Sequence, residues 1–329
     1  MTTMDKNRLE ELIRPVQNEL DQFDRKLHAF LKGDSPLISS IAKHLLKSRG
    51  KRIRPAIMFL TSRAGKYQSE HTVDVSLSIE LIHTATLLHD DVVDDSDMRR
   101  GTETVNFKWT NLISVLMGDY LFAKAFRLMS SVGSTQLMDA ISQATERVSV
   151  GELRQIEETS NYDLSEEEYI KIIADKTAAL FSVACEVGPI LASQSSEVRQ
   201  RFATFGEKIG VAFQIADDLL DFVGDALVTG KEPGNDILTG KVTLPLIYSL
   251  RTADKARANS MMEILNNGVN KTGFLKILKY VTETGGIEYA YRRAAEIARE
   301  GLEAVKDLDD SEYFKSLKGM VQFSTSRAA

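Results

Sequence analysis

Cysteine is almost missing from this sequence: Cys185 is the only one. That excludes an internal disulfide and a cysteine-built zinc site, and it predicts a reducing, cytoplasmic setting. Proline is scarce too, six in 329 residues, with 20 glycines; so few turn-formers predict long helices rather than many short strands. No apolar run approaches the roughly 18 residues expected of a membrane span. The opening MTTMDKNRLEELIRP has no basic start followed by an apolar stretch, so no secretory signal is expected. Positive charge is in deficit, 41 Lys and Arg against 47 Asp and Glu. A net charge of -6 argues against general nucleic-acid affinity, because phosphate backbones attract basic surfaces. Nor does a Ser/His/Asp or Cys/His set stand out.

What is present is apolar periodicity over most of the chain, and 43% of residues are hydrophobic, enough for a large core. Residues 5–31 read as one amphipathic helix with Leu9, Leu12, Ile13, Val16, Leu20, Phe23 and Leu27 on one side. Ser35-Pro36 is a helix start, and Ser165 with Glu168 forms a capping box. Helices are predicted at 36–47, 55–66, 70–95, 110–132, 135–160, 166–190 and 197–223, then shorter ones near 243–251, 255–266, 271–284, 287–307 and 310–324. A Gly-rich loop occupies 224–241. No strand run or hairpin signal stands out. The expectation is one all-α domain, 1–329, a large helical bundle around a deep central cavity.

The stretch IELIHTATLLHDDVVDDSDMRRG, from Ile79 to Gly101, starts as a buried-helix run. It ends in Asp90, Asp91, Asp94, Asp95 and Asp97, followed by Arg99 and Arg100. Residues four apart share a helix face, so Asp90 and Asp94 stand together, above a stripe of Thr86, His83 and Ile79. Such clusters are commonly solvated surface. A second copy changes that reading: FQIADDLLD places Asp217 and Asp221 four apart on another apolar helix, with Gln214 on the same stripe. Paired oxygen-rich motifs suit Mg²⁺, which is usually held by one or two carboxylates while phosphate oxygens and water complete its shell. The EF-hand spacing is absent. Basic residues near glycines, prolines and helix ends make phosphate the expected ligand: Lys51, Arg52 and Arg54 in GKRIRP, Arg99-Arg100, Lys176-Thr177, Lys231 and Lys241. Any one of them alone would read as surface charge. Together they suggest two diphosphates, one bridged by metal and one held by Lys and Arg.

The ordered motifs GKRIRP, LLHDDVVDDSDMRRG, GELRQ, DKTAAL, FQIADDLLD and GNDILTGKVTLP closely resemble the trans-polyprenyl diphosphate synthases, from about Lys47 to Leu246. The resemblance implies an isoprenoid-synthase-type bundle, usually a homodimer. It implies repeated condensation of isopentenyl diphosphate onto an allylic diphosphate by ionisation, condensation and elimination. Asp90, Asp94, Asp217 and Asp221 would be ligands of about two or three Mg²⁺ ions, with Asp91 and Asp218 behind them or on metal-bound water. Arg99, Lys176 and Lys231 would hold the allylic diphosphate, with Thr177 and Gln214 beside it. Lys51, Arg54, His83 and Arg100 would hold isopentenyl diphosphate, and Lys241 would help close the Gly-rich loop. Asp90, Asp94, Lys176, Asp217 and Lys231 form the expected catalytic set. The released diphosphate would take the proton, so no separate protein base is required. His89, Cys185 and Trp109 read as packing. The loop departs from the family pattern in having Glu-Pro after Lys231.

The growing product would run backward along the first acidic helix. There Thr86 and Ala85, four and five residues before Asp90, are small where short-chain relatives carry an aromatic plug. Ile82 and Ile79 would line the next turns, and Phe122 or Phe126 would supply the floor. The expected product is long, hepta- to decaprenyl with octaprenyl at the centre, of the quinone side-chain type. A geranylgeranyl-type synthase is the alternative. Terpene cyclases have Asn, Ser and Glu at the second metal site, where this chain has DDLLD. An HD-type phosphohydrolase, suggested by His89-Asp90, leaves the second motif unexplained. A non-catalytic subunit would be expected to have lost acidic ligands.

Overall fold

The computed structural model describes residues 3–33, 35–47, 50–99, 101–223, 234–252 and 254–325. Its chain is helical almost throughout: α1 (Thr3–Ile13), α2 (Gln17–Phe30), α3 (Pro36–Leu45), α4 (Ile53–Ala64), α5 (Thr72–Val93), α6 (Val105–Lys108), α7 (Asn111–Ser130), α8 (Thr135–Glu157), α9 (Glu166–Ile173), α10 (Ala179–Leu191) and α11 (Ser196–Val223). These are followed by α12 (Asn235–Leu238), α13 (Leu244–Thr252), α14 (Lys255–Asn266), α15 (Lys271–Glu283), α16 (Gly286–Ala304) and α17 (Glu312–Thr325). The starts are chemically specified. Ser35 accepts from the Ile38 amide with Pro36 in the first turn, and Ser165 accepts from the Glu168 amide, each satisfying a donor that the first turn leaves unpaired.

Three local departures from the sequence reading have physical causes. The stretch 5–31 is two helices, because Pro15 forces a 3₁₀ turn over Arg14–Val16. The stretch 166–190 is interrupted by a π turn over Ala174–Ala178. A two-residue hairpin also forms, with Met98 opposite Glu103 and Arg99 opposite Thr102. It is held by backbone bonding that no alternation in so short a segment could announce.

One contiguous core runs from Leu9 to Phe323. At its centre α11 packs on α10 and α16, while α5 packs along α7. Phe59, Leu77, Ile79, Leu81, Ile82 and Phe205 are almost wholly enclosed, each contributing roughly 1.5–3 kcal/mol of transfer free energy on burial. That packing leaves the C-terminal end of α5, the π turn and the C-terminal end of α11 facing one another. Among the described residues, no helix is long and apolar enough to cross a membrane.

Candidate active site

α5 ends at Val93, so Asp90 and Asp91 lie inside the helix and Asp94 is its C-terminal cap, its amide donating to the Asp90 carbonyl at 2.7 Å. The predicted helix to residue 95 stops short because Asp95 takes a left-handed backbone, φ 47°, which ends α5 and splays the acidic residues. Asp94 is exposed and Asp90 half-buried. Burial, and then the charge of Glu152, pushes the Asp90 carboxyl up to about 7, against the pull of Lys176 and Arg99. Asp91 is buried and accepts from Arg99 Nε at 2.6 Å.

The π turn presents the next group. Widening the helix by one residue per turn is rare and recurs at functional sites; here it turns Lys176 and Thr177 toward the acidic ends. Asp175 fixes it from behind, accepting from Arg147 Nε at 2.8 Å and Arg154 Nη1 at 3.1 Å. Close packing does the rest: a Cβ on Gly151 would lie 2.3 Å from the Lys176 nitrogen, and one on Gly210 2.5 Å from the Ala178 Cα. Lys176 Nζ donates to Glu152 at 2.7 Å, and the Thr177 hydroxyl donates to Gln214 Oε1 at 2.7 Å.

Gln214 passes this chain on to the second motif, donating to Asp218 at 2.7 Å; Asp218 also accepts from the Tyr169 hydroxyl at 2.6 Å. Burial and the charge of Asp236 push the Asp218 carboxyl up to about 8, although these hydrogen bonds work the other way. Asp217 is exposed. Asp221 accepts from the Asn235 and Asp236 amides, both at 3.0 Å, tying α11 to α12. Lys241 spans the two sides, with Nζ 3.5 Å from Asp94 and its amide donating to the Asp236 carbonyl at 2.8 Å. Burial alone would lower Lys241, but Asp236, Asp94 and Glu152 outweigh it and hold it above the usual lysine range.

A cavity of about 90 Å³ lies beside this site. Arg52, Glu80, His83, Thr84, Asp91 and Arg99 form its polar end, and leucines including Leu27, Leu45, Leu87 and Leu121 its walls. Residues step 100° around a helix, so this cavity meets the face of α5 opposite Ala85, Thr86 and Ile82.

The polyprenyl synthetase family model matches residues 35–281. The chain belongs to this family. As a polyprenyl synthetase it is an enzyme, a prenyltransferase. It is 33% identical over 327 residues to the octaprenyl diphosphate synthase of Haemophilus influenzae, covering 99% of both chains. It is 36% identical over 297 residues to that of Escherichia coli K12, covering 90% of this chain and 92% of the relative. A crystal structure of a polyprenyl synthase from Caulobacter crescentus, complexed with calcium and isoprenyl diphosphate, superposes with a TM-score of 0.92 at 30% identity, covering 98% of each chain.

Against the sequence reading, the synthetase brings Asp90, Asp94, Lys176, Thr177, Gln214 and Lys241 into one neighbourhood, with Asp217 and Asp221 on the facing helix. His83 and Arg99 line the adjoining cavity. Lys51 is exposed, and Arg54 lies with its guanidinium 4.6 Å from the Phe181 ring centre. Arg100 and Lys231 lie outside the described residues. Ala85 and Ile82 are fully enclosed, whereas Thr86 is half-buried, its hydroxyl donating to the His83 carbonyl at 2.8 Å. Phe122 stacks with Phe126 at 6.4 Å and packs against His89 at 5.9 Å. Two members of the site carry no role in the sequence reading. Glu152 sits in the quoted GELRQ stretch, where its acid beside a glycine was the available signal. Tyr169 reads as an ordinary apolar-face residue, and nothing local marks it.

Proposed function

We propose that this polyprenyl synthetase adds isopentenyl diphosphate repeatedly to an allylic diphosphate such as farnesyl diphosphate. Its product is a long-chain all-trans polyprenyl diphosphate, octaprenyl within a hepta- to decaprenyl range, destined for a quinone side chain. The observation that carries the proposal is the meeting of two acidic helix ends across Lys176, Thr177, Glu152 and Lys241. The names of its relatives support the long product, and the small Thr86 supports an open path for it.

Mg²⁺ is usually held by one or two carboxylates, with diphosphate oxygens and water supplying the rest of its shell. The donors fit, since Asp90, Asp94, Asp217 and Asp221 are all hard oxygen ligands. Burial first, and then the neighbouring charge of Glu152, disfavours the ionised Asp90 carboxyl, and a bound cation would favour it. About two or three bound Mg²⁺ ions would neutralise the diphosphate and improve it as a leaving group. Lys176, Arg99 and Lys231 would orient the allylic diphosphate, and the linked Thr177 and Gln214 would set its reacting end. Lys51, Arg54, His83 and Arg100 would hold isopentenyl diphosphate with its double bond facing the cationic carbon. The allylic carbon–oxygen bond breaks first, the isopentenyl double bond then attacks the cationic carbon to form the new carbon–carbon bond, and the departed diphosphate takes the proton lost on elimination.

We read the whole chain as one domain, active in the cytoplasm as a homodimer and binding no nucleic acid. Exposed Leu112 and Leu116 on α7 and Leu153 and Ile156 on α8 support a second copy as the covering partner. The test is incorporation of labelled isopentenyl diphosphate onto farnesyl diphosphate. Incorporation should require Mg²⁺, cease in EDTA, and fall about 100-fold or more in Asp90→Asn and Asp217→Asn. Undiminished incorporation in EDTA or in both variants would contradict the proposal.

A further inference from the structure

Arg52 sits between Lys51 and Arg54 where the turn from Gly50 enters α4, yet neither diphosphate claims it. Its backbone is left-handed, φ 52°, which costs a non-glycine residue roughly 1–2 kcal/mol and persists only where the surroundings hold it. The side chain turns inward. Nη1 donates to Glu80 Oε1 at 3.0 Å, Nε lies 3.4 Å from Asp24 Oδ1, and the guanidinium stands 5.2 Å from the Phe23 ring centre. Glu80 is 8% exposed. It lies on α5 one turn before Thr84, whose hydroxyl donates to the Glu80 carbonyl at 2.8 Å, and both line the cavity with His83. The turn and the first residues of α4 thus send three neighbouring cations three ways: Lys51 outward, Arg54 over Phe181, and Arg52 toward α5.

We propose that Arg52 and Glu80 are a positioning pair. Their ion pair, in which Glu80 is buried and Arg52 partly so, locks the turn to α5, so that Lys51 and Arg54 meet the same isopentenyl diphosphate as His83. The inference rests on the proposed function. A buried charge that loses its partner is strongly disfavoured, and without the pair the left-handed residue relaxes and the turn shifts. A displacement of about 1 Å in a binding group can cost up to 100-fold. Most of the allylic side is built from α8, the π turn and α11, none of which this pair touches; Arg99, which lines the same cavity as the pair, is held separately by Asp91.

The test measures kcat and both KM values for Arg52→Gln, Glu80→Gln, the double variant and Arg52→Lys, with thermal midpoints alongside. Either single change should raise KM for isopentenyl diphosphate about tenfold. kcat and KM for farnesyl diphosphate should stay within about twofold, because the pair acts on one substrate only. The double variant should be no worse than the worse single, since the two residues act as one unit, and Arg52→Lys should recover most of the loss. A lower thermal midpoint with KM for isopentenyl diphosphate unchanged would make the pair merely structural and overturn the inference. So would multiplicative losses in the double variant, or equal losses for both substrates. If the Gln variants do not fold, Arg52→Lys decides: its shorter side chain and single ammonium should still raise that KM severalfold, and an unaltered value would overturn the pairing. Absence of turnover in the unmodified protein would instead overturn the proposed function, and this inference with it.

Discussion

Placing a phenylalanine at successive turns of α5 should set product length in steps. Thr86 lies about 6 Å before Asp90 along the helix axis, Ile82 about 12 Å and Ile79 about 16 Å, at 1.5 Å per residue. An isoprene repeat adds four chain carbons, about 5 Å when extended at bond lengths near 1.5 Å. Thr86→Phe should therefore give the shortest products, with Ile82→Phe and then Ile79→Phe each releasing about one further isoprene unit. Stability should follow burial. Ile82 is fully enclosed and Ile79 2% exposed, so their overpacking should cost about 1–3 kcal/mol. Half-buried Thr86 should accept the ring at less cost. Sizing the dephosphorylated products by chromatography, with urea melts on the same proteins, reads both effects. Identical products from all three variants would refute the placement of the growing chain along this face of α5. Shortening by Leu87→Phe alone would move it to the opposite face.

The raised Asp90 carboxyl makes metal binding pH-dependent. Because its neutral form is the one favoured in the fold, its contribution is complete below the ordinary value of 3.8 and lost as pH rises through about 7. Metal-free protein should therefore lose thermal stability as pH rises from 3.8 to about 7, and Mg²⁺ should restore more of it above that range than below it; a pH-independent Mg²⁺ effect in scanning fluorimetry would contradict this. Tyr169→Phe removes a buried donor to Asp218 and should destabilise by about 1–3 kcal/mol in urea melts, with a loss below about 0.5 kcal/mol contradicting the contact. Gly151→Ala would set a methyl 2.3 Å from the Lys176 nitrogen. It should lower both thermal midpoint and turnover, and a fully active, equally stable variant would show that the π turn does not depend on that approach.

The two acidic helix ends were legible because a carboxylate pair repeated on two apolar helices has few structural explanations. The caps at Ser35 and Ser165 were legible for a similarly local reason, an oxygen acceptor three residues before an unpaired amide. The π turn was not. ADKTA carries no helix-breaking residue, and its widened geometry is imposed by Gly151, Gly210 and the arginines Arg147 and Arg154 that hold Asp175, all remote in sequence from the turn. Tyr169 and Glu152 escaped for the same reason: their partners Asp218 and Lys176 lie 49 and 24 positions away. Pro15 was a missed local signal, outvoted by an apolar stripe that continues on both sides of it. Arg52 stood in a motif already noticed, but only the folded turn separates an inward guanidinium from its outward neighbour.

The most direct measurement is the size of what the unmodified protein makes from farnesyl diphosphate, labelled isopentenyl diphosphate and Mg²⁺, with EDTA as the control. The account predicts a Mg²⁺-dependent ladder ending between hepta- and decaprenyl. A stop at geranylgeranyl would keep the chemistry and contradict the open path past Thr86, and no elongation at all would contradict the catalytic assignment of the two acidic helix ends.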